Sequence, residues 1–176
     1  MDNTLAIVYL SILLFLLLSA GLTVFPQIFR TRRTESALSR LQKKLTKEQG
    51  TAQEYYELGG IYLDKKLYAQ AISMFQKALK AAEQEGEEKI SRIYNGLGFA
   101  YFAQEQYDLA IRQYKEALKH DPNYITTLNN LGHAYERKNL MNQALETYEQ
   151  VLQSEPKNVT AKRRAESLRR RLVTSA

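Results

Sequence analysis

The sequence predicts an all-α chain: a long apolar N-terminal helix, three stacked helix pairs, and a basic helix that closes the stack. Three observations carry that expectation. Tyr94, Leu97, Gly98, Tyr101, Ala110, Tyr114, Ala117 and Pro122 return 34 residues later as Leu128, Leu131, Gly132, Tyr135, Ala144, Tyr148, Val151 and Pro156, and a period of that length marks a helical repeat. No residue from Leu5 to Phe25 carries a charge. After Pro156, apolar and basic residues alternate at helical spacing to the end of the chain.

The apolar run comes first. Its 21 residues would form a helix ~32 Å long, against a hydrocarbon core of about 30 Å. That length predicts a transmembrane helix within residues 1–29. A cleaved signal peptide needs a basic start and a shorter apolar stretch, whereas only Asp2 and the amino terminus precede this run. Arg30, Arg32, Arg33, Arg40, Lys43, Lys44 and Lys47 follow it and no Lys or Arg comes before. By the positive-inside bias the repeats then face the cytoplasm or a stroma-like compartment. In the basic segment 30–51, Leu38, Leu41 and Leu45 recur at helical spacing. They predict an amphipathic linker helix that packs on the first repeat or lies near lipid headgroups.

The repeats occupy residues 52–156, in units of about 52–85, 91–124 and 125–158. A copy lacking the final proline precedes the two already described, as Tyr55, Leu58, Gly59, Tyr62, Ala71, Phe75 and Ala78. Helices are expected at 52–64 and 68–82, at 91–103 and 107–119, and at 125–138 and 141–153. In each unit the large residues follow the i, i+3, i+4, i+7 rhythm of one helix face. Gly59, Gly98 and Gly132, with Ala71, Ala110 and Ala144, remove bulk where two antiparallel helices approach. A glycine inside a helix otherwise costs about 1 kcal/mol. Pro122 and Pro156 close a pair each, because the residue before proline is pushed out of helical conformation. The step from Gly59 to Gly98 is 39 residues, and its surplus falls in the acidic stretch from Glu83 to Glu88. That surplus either lengthens a helix or loops out at Gly86.

In the last segment, 157–176, Val159, Ala161, Ala165, Leu168 and Leu172 share a helix with Lys162, Arg163, Arg164, Arg169, Arg170 and Arg171. Its apolar face is expected to cap the open side of the last repeat, as the end of any solenoid requires.

The net charge of +6 conceals a division. Residues 30–47 hold seven bases and one acid, residues 157–171 the same, and the repeats between them 11 bases against 16 acids. An acidic repeat region argues against nucleic-acid binding. The absence of cysteine removes disulfides, thiolate metal sites and a cysteine nucleophile. Two histidines, His120 and His133, leave little for metal or acid–base chemistry. No glycine-rich phosphate loop, paired metal ligands or nucleophile with a positioned base is found. Neither enzyme activity, a cofactor nor a small-molecule substrate is expected, and Glu136 and Glu146 read as solvated faces.

The order large residue, Leu-Gly, Tyr, then Ala, aromatic, Ala, Pro resembles the tetratricopeptide repeat. The resemblance implies a right-handed superhelix of three tetratricopeptide repeats, behind the N-terminal transmembrane helix and ahead of the C-terminal capping helix. Repeat packing would rest on Tyr55, Leu58, Gly59, Tyr62, Ala71 and Phe75 in the first unit and Tyr94, Leu97, Gly98, Tyr101, Ala110 and Tyr114 in the second. In the third it would rest on Leu131, Gly132, Tyr135, Ala144 and Tyr148. The first helix of each pair would line a partner groove with the residues one step off the packing face. These are Tyr56, Gly60 and Leu63, then Asn95, Phe99 and Phe102, then Asn129, His133 and Glu136, with Arg92 beside them. The co-chaperone members that grip a C-terminal carboxylate have Lys and Asn where this chain has Tyr56 and Gly60, so that clamp is not expected. His120, at a helix end, is expected to meet terminal carbonyls.

The single apolar span, the basic segment from Arg30 to Leu41 and the repeats together resemble the small photosystem I assembly-related proteins of cyanobacteria and red-algal plastids. That resemblance implies a single-pass thylakoid membrane protein, repeats on the cytoplasmic or stromal side, that helps photosystem I assemble or remain stable without binding pigment. Its partners would be photosystem I subunits or assembly factors. The alternatives are a membrane receptor for targeting or translocation of client proteins, and an envelope protein with its repeats outside the cytoplasm.

Overall fold

A computed structural model of the chain describes residues 2–86 and 90–174, excluding the side chains of 2–6, 20, 23, 24, 26, 30 and 174. Its helices, in chain order, are α1 (Asp2–Lys47), α2 (Ala52–Asp64), α3 (Tyr68–Glu85), α4 (Ser91–Ala103), α5 (Tyr107–His120), α6 (Ile125–Arg137), α7 (Met141–Ser154) and α8 (Val159–Thr174). The chain divides between Lys47 and Glu48 into two units.

The first unit is α1, one continuous helix of 46 residues. It corrects the expected anchor: among the described residues no helix is long and apolar enough to cross a membrane. Beyond Phe29 the same helix continues through Arg32 and Arg33 without a break. Leu5, Ala6, Ala20, Thr23 and Val24, on which the expected span also drew, lie outside the described side chains. The single-pass topology and the orientation inferred from the basic flank fall with the anchor.

In the second unit each helix packs on the next, from α2 against α3 through to α7 against α8, and α4 also touches both α2 and α6. The chain enters α2 through a capping box. The Thr51 side chain accepts from the Glu54 N–H, and the Glu54 carboxylate accepts from the Thr51 N–H at 3.1 Å, satisfying two donors that a helix start leaves open.

The turn inside each pair is the same Schellman closure. Leu67, Gln106 and Leu140 donate to the carbonyls of Tyr62, Tyr101 and Tyr135 at 2.8, 3.0 and 2.9 Å. The residue before each donor, Lys66, Glu105 or Asn139, takes φ 59. Above that turn the helices approach closely. A Cβ on Gly59, Gly98 or Gly132 would stand 2.8, 2.6 or 2.8 Å from the ring of Phe75, Tyr114 or Tyr148. The glycines are therefore sockets for the aromatic rings of the second helices.

The surplus of the first repeat lengthens a helix. α3 runs three residues past the expected Ala82, burying Ala81 and Ala82, and stops at Gly86 in the left-handed conformation with φ 67. Glu87 and Glu88, also assigned to that surplus, lie outside the described residues. At the other end, Asn158 caps α8 by accepting from the Ala161 N–H at 3.0 Å. Ala161, Ala165 and Leu168 of α8 are buried. Val159 is 78% exposed and contributes nothing to the cap.

Candidate functional site

The helices α2, α4 and α6 carry the expected groove residues, because position i, i+4 and i+7 along each first helix fall on one face. In α2, Tyr56, Gly60 and Leu63 are half-buried. The Tyr56 ring tilts against Phe75 at 5.8 Å between centroids, and the Arg92 guanidinium of α4 lies over the Tyr56 ring at 5.7 Å. This cation–π contact joins two of the expected groove residues across the first pair boundary.

In α4, Phe99 is 43% exposed, an uncovered aromatic ring on an otherwise half-buried face. Phe102 is half-buried, packed edge-on to Tyr107 at 5.3 Å and tilted against His133 of α6 at 4.9 Å. Asn95 is committed to the joint with α6. Its Oδ1 accepts from Thr127 Oγ1 and from Asn130 Nδ2, both at 3.1 Å.

In α6, Asn129 is half-buried, and its Oδ1 is sealed from solvent without a hydrogen-bond donor among the described residues. His133 titrates below the usual histidine value, because burial disfavours its charged form and the nearby Arg164 adds to the effect, while Glu136 opposes it. Glu136 is no solvated carboxylate. It accepts from Tyr148 Oη at 2.8 Å and from Arg164 Nη1 at 3.4 Å, with its side chain 13% exposed. It therefore ties α6 to α7 and α8. Burial, reinforced by the bond to Glu136, pushes the Tyr148 hydroxyl well above its ordinary range.

The face thus separates into two parts. Around Tyr56 and Arg92, which engage each other, Gly60 leaves open space and Phe99 an exposed ring. Asn95, Phe102, His133 and Glu136 are engaged by neighbouring helices. Thr127, Asn130, Tyr124 and Arg164 belong to this arrangement but are not in the expected groove. Thr127 alone had a signal: a hydroxyl where the second repeat has buried Ile93. His120, expected to meet terminal carbonyls, instead stacks on Tyr94, with centroids 5.7 Å apart and planes 7° from parallel.

The tetratricopeptide repeat family matches the chain over residues 48–123 and again over 101–171. An uncharacterized protein named ycf37 from Guillardia theta is 38% identical over 128 residues, which is 73% of this chain and 72% of that one. The chloroplastic tetratricopeptide repeat domain-containing protein PYG7 of Arabidopsis thaliana is 32% identical over 69% of this chain and 40% of its own. Among solved structures, YrrB, described as a tetratricopeptide-repeat protein with an unusual peptide-binding site, superposes with a TM-score of 0.66. It is 26% identical and covers 79% of this chain and 69% of its own. The Arabidopsis relative is a chloroplast protein, and repeats of this kind are modules for protein–protein interaction. The chain belongs to the ycf37 family of tetratricopeptide-repeat proteins.

Proposed function

We propose that this chain is a scaffold for the assembly or stability of photosystem I, and that the α2–α4–α6 face holds a segment of a photosystem subunit or of another assembly factor. The observation that carries the reading is Phe99, a ring 43% exposed on the first-helix face of an acidic repeat stack. One exposed ring is ordinary by itself, but this one shares the first-helix face with the half-buried Tyr56, Leu63 and Phe102. Peptides are held in such faces by apolar anchors with polar groups beside them, and the peptide-binding site described for YrrB supports that use. The photosystem assignment rests on kinship with ycf37 and PYG7 and on the resemblance of the chain to the photosystem I assembly-related proteins. Location at the thylakoid follows from that role.

Co-purification from photosynthetic cells tests it. Phe99→Ala and Asn129→Ala are expected to lower partner recovery more than Lys77→Ala, which alters an exposed residue of α3. Equal loss from all three with unchanged helicity would reject the face. Recovery of no photosystem subunit or assembly factor, with normal photosystem I in a deletion strain, would reject the role.

A further inference from the structure

Glycine inside a helix is unfavourable relative to alanine, and the glycines of α2, α4 and α6 differ in what they obtain for it. Gly59, Gly96, Gly98 and Gly132 each seat an aromatic ring, and a Cβ added at any of them would fall 2.6 to 2.8 Å from it. Gly60 seats nothing: a Cβ there would meet no atom within 4 Å. It occupies the place that Phe99 and His133 hold in the next two repeats, so the face has a notch where its neighbours have rings.

The notch lies between groups able to line it. Tyr56 and Leu63 stand one helical turn to either side on the same face, and Phe99 is the exposed ring on α4. One turn from Gly60, over Tyr56, lies Arg92. Among the described residues Arg92 forms no ion pair, although the repeats around it carry more acids than bases. Tyr124, at the start of α6, lies within electrostatic reach of both Arg92 and Tyr56. A guanidinium stacked on the Tyr56 ring, its N–H groups without an ion pair among the described residues, is a receptor for a carboxylate, which it can meet with two parallel N–H donors.

We propose that Gly60 and Arg92 form a two-part subsite for an extended segment of a partner protein, which places a bulky apolar side chain in the notch and a carboxylate on the guanidinium. Two residues of extended chain span about 6.6 Å, the nearest even step to the helical turn of about 5.4 Å between Gly60 and Tyr56, and side chains two apart on a strand point the same way. The segment therefore carries an aromatic or large aliphatic residue two positions from Asp or Glu. Occupancy of the notch makes a glycine at position 60 a specificity determinant. The inference rests on the α2–α4–α6 face being the partner face.

Fluorescence anisotropy with the full chain tests it, using labelled seven-residue peptides in an alanine-serine background. One peptide carries Phe and Glu two residues apart, the second replaces Glu by Lys, and the third replaces Phe by Ala. The Phe/Glu peptide is expected to bind best. Gly60→Leu, which fills the notch and favours the helix, should weaken it about tenfold, and Arg92→Gln should do likewise and erase the preference for Glu over Lys. Equal binding of the Lys peptide, an unchanged affinity in Gly60→Leu, or no binding by any of the three would overturn the subsite. Loss of the native partner in Phe99→Ala but not in Gly60→Leu would reject the subsite and keep the face. Peptide binding sensitive to Gly60→Leu, with native partners retained by Phe99→Ala and Asn129→Ala, would keep the subsite and reject the photosystem role.

Discussion

The two joints between repeats have the same place in the period and different chemistry. At the first, between α3 and α4, the Phe75 ring lies against two glycines: a Cβ on either Gly59 or Gly96 would stand 2.8 Å from it. At the second, where α6 meets α4 and α5, the residue in Gly96's place is Asn130, which donates to Asn95 Oδ1 of α4 alongside Thr127. The ring there is Tyr114, whose buried hydroxyl has no partner among the described residues. The period fixes where helices meet. Both joints bury apolar side chains, Tyr114 sharing one cluster with Leu128 and Leu131, and the second adds the part-buried hydrogen bonds to Asn95 where the first has only an exposed 3.5 Å bond from Gln76 to Tyr101 among the described residues.

The largest effect should come from changing equivalent positions in the two joints to the same residue. Gly96→Val drives a branched side chain into Phe75 and is expected to cost about 2 to 3 kcal/mol of stability by overpacking. Asn130→Val nearly keeps the side-chain volume already there and should cost about 1 kcal/mol, the bond to Asn95. Urea unfolding of both variants checks this, and equal costs would show that the joints are held alike. Next is Thr127→Val, which keeps the shape and removes a hydroxyl from a fully buried site. It should cost about 1 kcal/mol, and a double-mutant cycle with Asn95→Ala should show positive coupling. A cycle without coupling would remove the polar network from the second joint.

The two tyrosines give a contrast of opposite signs. Tyr114→Phe makes the second joint's ring like the first and deletes an unpaired buried hydroxyl, so stability should stay level or rise by up to about 1 kcal/mol. Tyr148→Phe breaks a 2.8 Å bond to the Glu136 carboxylate and should cost about 1 to 2 kcal/mol. Thermal melts of the pair suffice, and a loss in both would mean that Tyr114 has a partner after all.

These contrasts mark how far the residues spoke for themselves. The helix pairs are legible because Leu58, Gly59 and Tyr62 and their copies obey one spacing, and that spacing also puts Tyr56, Asn95 and Asn129 on the first helices. Hydrogen-bond partners are not periodic. Asn95 meets Thr127, and Glu136 meets Arg164 from α8, through approaches between helices that no local pattern encodes. The end of α3 at Gly86 needed the geometry to choose between two readings of one acidic stretch. The transmembrane expectation failed differently. It took an uncharged run as sufficient for a span, whereas the described side chains form no segment long and apolar enough and α1 continues unbroken into its basic half.

The turns inside the pairs supply the control, because there the three repeats are alike in geometry and differ only in residue. Lys66, Glu105 and Asn139 all hold φ 59, a conformation that crowds the Cβ of an L-residue against its own carbonyl. Glycine avoids that crowding but gives up more freedom on folding. The balance should favour Lys66→Gly by about 0.5 to 1 kcal/mol, and Glu105→Gly by slightly less, since it loses an exposed 3.6 Å pairing with Arg137 that is worth little. Asn139→Gly should gain least, because asparagine already tolerates the left-handed region. Urea midpoints should rise in that order, Lys66 first and Asn139 last. A fall at Lys66 with a rise at Asn139 would mean that the pairs, like the joints, are each closed in their own way.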